Sequence, residues 1–169
     1  SFFFFIGNSG MANALILFAV IPLTEKSKTR LMPFLSEAEC RALYNCFVKD
    51  VCQKARSIGG DVYVFFSPRD KRAEFKELLG DDMILLPQHG DNLGEKMKNA
   101  IGAVHRMGYD KVVLMGTDIP HIHTETIRNA FDNLDQKDIV IHPAVDGGYY
   151  LIGMKQEHDS IWNIKRYGT

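Results

Sequence analysis

Asp118 is the carboxylate best placed for chemistry in this 169-residue chain. It follows VVLMG at 112–116, an apolar run that reads as a buried strand of a parallel sheet, and it is flanked by Thr117 and by Ile119-Pro120. Ligands of open α/β sheets sit just beyond the carboxyl ends of the strands, and a lone Asp there is suited to holding a divalent cation on a phosphate. A plainer role is to cap the helix that starts near Thr124, but Pro120 and three further residues separate it from that start.

A complementary charge follows the first strand. Lys26, Lys28 and Arg30 place three cations within five residues, with Thr29 adding a hydroxyl donor. Arg grips phosphate through two parallel hydrogen bonds and Lys acts as a mobile point charge. The alternative is a solvated basic turn. Further along, Gln88, Gly90 and Gly94 precede or open a helix. The amide of Gln88 could read a base edge, the glycines could admit a flat ligand, and the helix start favours an anion. An ordinary loop with Asn92 as N-cap explains the same residues. At the third place, Asp146-Gly147-Gly148-Tyr149, Asp146 could meet an acceptor hydroxyl or a metal, while a hairpin turn of Asp-Gly type needs no ligand at all.

Several chemistries are excluded. The glycines of the Walker loop and of the dinucleotide fingerprint are missing, and there is no G-x-S-x-G elbow. His121 and His123 are two apart, which is not the four-residue step of a metal helix, and with His142 they are joined by no cysteine pair, so zinc is not expected. No nucleophile stands out, which favours direct transfer over a covalent intermediate.

These groups must be positioned by alternating strands and helices. Apolar runs predict strands at 14–21, 61–66, 83–86, 111–115, 138–142 and 149–154. Ser36 with Glu39 forms a capping box that opens a helix to about residue 58, with Leu43, Phe47, Val51 and Ala55 at four-residue steps and Tyr44 and Val48 beside them. Further helices are expected at 70–79, 93–107 (Met97, Ile101 and Val104 on one face) and 124–134. The order argues a three-layer α/β/α arrangement, doubly wound around a mostly parallel sheet.

The bulk numbers agree. Hydrophobic residues at 46% and charged residues at 24% are the balance of a globular protein, and a net charge of −1 offers no field for nucleic acid or anionic membrane. No apolar run is long enough to span a bilayer. Cys40, Cys46 and Cys52 make neither a metal pattern nor an even set; on one helix they are expected to spread over the surface, reduced, in a cytoplasmic protein. Residues 1–10, SFFFFIGNSG, read as a foreign or disordered leader outside the fold, and 11–169 as one domain.

Taken in order, FAxxP, KTRL (28–31), Gln88 with LGEKM (93–97), GTDIP (116–120) and DGGYYLIG (146–153) resemble the small GT-A-type nucleotide-diphospho-sugar transferases, the transferase-1-like glycosyltransferases. A more distant resemblance is to the phospholactate guanylyltransferases of the same fold. The resemblance covers roughly residues 14–162. It implies that the loop from Pro22 wraps the nucleotide, with Lys28 and Arg30 on its phosphates and Thr29 beside them. Gln88, Gly90, Leu93 and Gly94 would line the base pocket. Asp118 would bind Mg²⁺ or Mn²⁺ with Thr117 next to it, and Asp146, Gly147, Gly148 and Tyr149 would border the acceptor.

The chain departs from the family at Val20, where a lysine is usual, and at Glu25, where a glycine is usual. The family continues with a helix and a late strand carrying Asp-x-Asp, so the domain is expected to be incomplete at its carboxyl end. The implied function is metal-assisted glycosyl transfer from a nucleotide-diphospho-sugar to a small acceptor. The alternatives are nucleotidyl transfer from a nucleoside triphosphate to a phosphorylated small molecule, or a silent nucleotide-binding protein. A monomer and a homodimer both remain open.

Overall fold

The computed structural model describes residues 12–20, 34–117, 122–144 and 149–163. Strand parity sorts their apolar side chains into two cores. Leu15, Leu17 and Ala19 of β1 (Asn13–Val20) point to one face, with Val64 and Phe66 of β2 (Asp61–Ser67) and Leu85 of β3 (Ile84–Pro87). Val113 and Met115 of β4 (Lys111–Gly116) and Leu151 of β6 (Tyr149–Met154) join them. The intervening residues Ala14, Ile16, Phe18, Tyr63, Phe65, Val112, Leu114, Ile152 and Met154 point the other way. Alternation with both sides apolar is what a sheet covered on both faces requires.

The covering helices separate accordingly. α1 (Glu37–Arg56), α2 (Arg72–Leu79) and α4 (Thr124–Asn133) pack on the first core through Tyr44, Val48, Val51, Phe75, Ile127 and Phe131. α3 (Leu93–Arg106) packs on the second through Met97, Ala100, Ile101 and Val104, and a 3-10 turn at Asp159–Asn163 adds Ile161 and Trp162. This is the expected three-layer α/β/α arrangement.

The sheet order is β3-β2-β1-β4-β6-β5, with β5 at Ile139–Pro143. The pairs among β1 to β4 are parallel, whereas β6 is antiparallel to both of its neighbours, so five of six strands share one direction. The antiparallel β5–β6 register pairs Pro143 with Tyr149.

The capping box at Ser36 is present: Glu39 N–H donates to Ser36 Oγ at 3.3 Å and Ser36 N–H donates to Glu39 Oε2 at 2.8 Å. The hydrogen bond from the Ser36 hydroxyl, then that from its backbone, holds the Glu39 carboxyl below its usual range. Two expectations for α1 need correction. The buried stripe is Cys40, Tyr44, Val48, Val51, Cys52 and Ala55, whereas Leu43 and Phe47 are half-buried. A step of four residues advances about 400°, so a 43/47/51/55 row drifts by about 40° per step and enters the core only at its far end. The cysteines do not spread over the surface: Cys40 and Cys52 are buried and only Cys46 is exposed. Burial pushes the Cys52 thiol up to about 12, leaving it unreactive at neutral pH.

Candidate functional site

Because β1 to β4 are parallel, Val20, Ser67, Pro87 and Gly116 end at one rim. α1 leaves β1 toward one face, while α3 leads into β4 from the opposite face. The winding therefore reverses between the neighbours β1 and β4, the switch point beside which open α/β sheets bind their ligands. In the sequence Lys26, Lys28 and Arg30 come after β1, and Thr117-Asp118 follows β4.

Side chains fasten this rim. Val20 N–H donates to Tyr44 Oη at 2.8 Å, and Tyr44 Oη lies 3.4 Å from Thr117 Oγ1. Thr117 is buried and donates to Phe18 O from its backbone N–H at 3.2 Å and from its hydroxyl at 3.1 Å. With that hydroxyl proton spent on Phe18, Tyr44 is the donor in the Tyr44–Thr117 pair. Gln88 is buried at the end of β3; its Nε2 donates to Phe65 O at 2.9 Å and Ala19 O at 3.3 Å. Its backbone N–H donates to Phe66 O at 2.9 Å.

The expected roles change in detail. Both amide hydrogens of Gln88 bind strand-end carbonyls, so the amide nitrogen is not a donor for a base edge; Oε1 is what it could offer a ligand. At Gly90 the missing side chain makes room for the chain itself. The φ of Gly90 is +141°, and a Cβ there would stand 2.7 Å from Lys96 N and 2.9 Å from Glu95 C, so the first turn of α3 fills the space. Gly90→Ala is expected to cost about 1–3 kcal/mol with or without nucleotide, through backbone strain and overpacking, read as a lower urea midpoint. The start of α3 is also less open to an anion than expected. Asn92 caps it by accepting from Glu95 N–H at 2.9 Å, and Glu95 Oε2 accepts from Asp91 N–H at 2.9 Å. The plainer reading of Asn92 as an N-cap is the one realised.

Leu93 keeps about half its surface exposed at the first position of α3, and Gly94 beside it is buried. Tyr149 is half-buried, and its hydroxyl donates to Met97 Sδ at 3.9 Å. Pro22, Lys28, Thr29, Arg30, Asp118, Asp146, Gly147 and Gly148 lie outside the described residues, as does His121. His142 meets Tyr150 Oη through Nδ1 at 3.2 Å, and among the described residues no three His, Cys, Asp or Glu side chains converge as a metal site. No helix among them is long and apolar enough to cross a membrane.

Sequence reasoning missed Tyr44, which it treated as an apolar neighbour on α1. The available signal was its hydroxyl: a phenol on a buried helix face needs a polar partner.

A parallel sheet wound in this order, with helices on both faces and a hairpin inserted beyond β4, is the fold of nucleotidyltransferases and nucleotide-sugar transferases. Residues 50–169 match the family DUF2064, described as "Uncharacterized protein conserved in bacteria", and the chain belongs to that family. A provisionally assigned nucleotide-diphospho-sugar transferase from Desulfovibrio desulfuricans G20 shares 35% identity and a TM-score of 0.85, over 92% of this chain and 70% of that one. The 2-phospho-L-lactate guanylyltransferase of Methanobrevibacter smithii is 30% identical over 141 residues, 82% of this chain and 62% of that protein. The chain thus spans about three fifths of the length of the curated relatives it matches. Rv0371c of Mycobacterium tuberculosis H37Rv, solved in complex with manganese, shares the fold at 14% identity and a TM-score of 0.53, over 94% of this chain and 78% of that one.

Proposed function

We propose that the protein is a transferase acting on a nucleotide, and that the reaction is nucleotidyl transfer to a phosphorylated small molecule. A phosphate oxygen of the acceptor attacks the α-phosphorus of a nucleoside triphosphate. One P–O bond forms there, the bond to the bridging oxygen of the β-phosphate breaks, and pyrophosphate leaves. The observation that carries this reading is the adjacency of the β1 and β4 exits at the switch point. One exit leads into the loop of Lys28, Thr29 and Arg30, the other into Asp118. The guanylyltransferase relatives favour this reaction over glycosyl transfer.

In this reading Lys28 and Arg30 neutralise charge that develops on the leaving phosphates, which is stabilisation aimed at the transition state. Pro22 and Thr29 shape the same loop around the nucleotide. Gln88 Oε1, Leu93 and Gly94 border the base, and Gly90 fixes the turn that carries them. Asp146, Gly147, Gly148 and Tyr149 border the acceptor. In this reading Asp118 would hold a divalent cation. When bound, Mg²⁺ or Mn²⁺ supplies Lewis-acid charge neutralisation on the phosphates. The three thiols are free, in keeping with a reducing cytoplasm, and the two cores share one sheet, in keeping with a single domain.

Glycosyl transfer is the second reading, favoured by the assignment of the Desulfovibrio protein. Turnover separates the two. The protein is incubated with each nucleoside triphosphate, Mg²⁺ or Mn²⁺, and 2-phospholactate or a related phosphorylated hydroxy acid. Pyrophosphate release is the expected result. Release of a nucleoside diphosphate from a nucleotide-sugar, without pyrophosphate, supports the second reading instead. Nucleotide binding that ignores metal and survives Asp118→Ala overturns both.

A further inference from the structure

We infer that Tyr44 is a positioning residue that couples the exits of β1 and β4, so that Val20 and Thr117 are held in one fixed relation. The inference rests on the nucleotide-transfer reading for its consequence, but the coupling itself stands on geometry. The Tyr44 hydroxyl sits at the rim between the parallel strands β1 and β4, where the winding reverses. It accepts Val20 N–H, the last amide of β1 before the cation loop, at 2.8 Å. It donates toward Thr117 Oγ1, 3.4 Å away, the residue immediately before Asp118. Thr117 in turn donates its hydroxyl proton to Phe18 O at 3.1 Å, which closes a ring of donors and acceptors through the end of β1. The ring is anchored from outside the sheet, because Tyr44 is buried in the middle of α1 with its aromatic face in the core.

Beyond the paired register the backbone adds one bond, Thr117 N–H to Phe18 O at 3.2 Å, and, among the described residues, none that reaches Val20 from β4. The paired register of β1 and β4 ends at Phe18 and Gly116, so Val20 has passed beyond it when its N–H meets the phenol. Gln88 performs a similar service on the other side, drawing Ala19 O toward Phe65 O. The exit of β1 is therefore held laterally from both neighbours by side chains. A phosphate bound between a cationic loop and an acid needs those two groups at a set separation, and catalysis is sensitive to misplacement of about 1 Å.

Removing one oxygen tests this. Tyr44→Phe keeps the ring in the core and deletes only the hydroxyl, while Thr117→Val deletes the second member of the chain. Both variants and their combination are compared with wild type by residue-resolved amide exchange and by titration with GTP and CTP in the presence of Mn²⁺. In Tyr44→Phe, exchange is expected to rise at Val20 and also at Gly116 and Thr117, about 10-fold or more at each. Nucleotide affinity is expected to fall about 10-fold, with Thr117→Val adding little to Tyr44→Phe because both cut the same chain. If exchange rises at Val20 alone, or if the two substitutions add fully, the coupling is wrong. A reduced melting temperature with unchanged exchange at Gly116 and Thr117 also overturns it, since that is what a merely structural phenol gives. If wild type binds neither nucleotide, the transferase reading fails, and exchange at positions 116 and 117 still decides the coupling.

Discussion

Asp118→Asn is expected to lower turnover by about 10²–10³-fold and to abolish its dependence on Mg²⁺ or Mn²⁺, while the protein stays folded. The substitution is nearly isosteric and removes one negative charge. In the proposed reaction that charge holds the cation against the phosphates, and losing a single preorganised electrostatic contact at a developing charge costs about 2.7–4 kcal/mol of barrier. Stability should be nearly unchanged, because the local anchor is the preceding residue: Thr117 carries the hydrogen bonds to Phe18 O and the contact with Tyr44. Pyrophosphate release at saturating nucleotide, measured over a metal titration, reads the first effect. A melt of the free protein reads the second. Retained turnover with an unaltered metal requirement would mean that the cation rests elsewhere, with Asp146 the next carboxylate to test.

The strands were legible because each is an apolar run whose length and flanking breakers leave little choice, and VVLM before Gly116 is the plainest case. The helix starts were legible where capping chemistry is local, as at Ser36 with Glu39 and at Asn92 with Glu95. What the chain does not display is how its ends of strands are tied together. Gln88 looks like a free amide until two carbonyls from β1 and β2 converge on it, contacts that span 69 and 23 residues. Gly90 looks like space for a ligand until α3 folds back over it. Tyr44 looks apolar because its neighbours on α1 are. For Gln88 and Tyr44 the error is of one kind: local pattern gives a residue's environment class, whereas a polar partner brought from a distant strand gives its role. The antiparallel direction of β6 fits the Asp-Gly hairpin alternative, since the strand's own apolar residues carry no information about which way it runs.

Asp135→Ala is expected to destabilise the protein although Asp135 is a half-exposed residue remote from the rim, because of where it leaves Lys111. Lys111 opens β4 at the rim opposite the one where Gly116 ends it, and its side chain is only 7% exposed. Its ammonium donates to the Asp135 carboxylate, just beyond α4, and to Phe131 O at 3.3 Å. Asp135 is half exposed, so the two partners are unequal. Removing the lysine returns a carboxylate to water, whereas removing the carboxylate strands a buried cation. Breaking a fully buried pair in the second way costs about 3–5 kcal/mol, and partial exposure of Asp135 lowers that to roughly 2–3 kcal/mol. At about 2–4 °C per kcal/mol for a protein of this size, Asp135→Ala should melt roughly 5–10 °C below wild type. Lys111→Met fills the same channel with an apolar chain and should stay within about 1 kcal/mol of wild type. Equal losses in the two variants would show that the ion pair itself, and not the desolvated ammonium, governs this end of the sheet. Adding Lys111→Met to Asp135→Ala should restore most of the lost stability, because the unpaired charge that caused the loss is then gone.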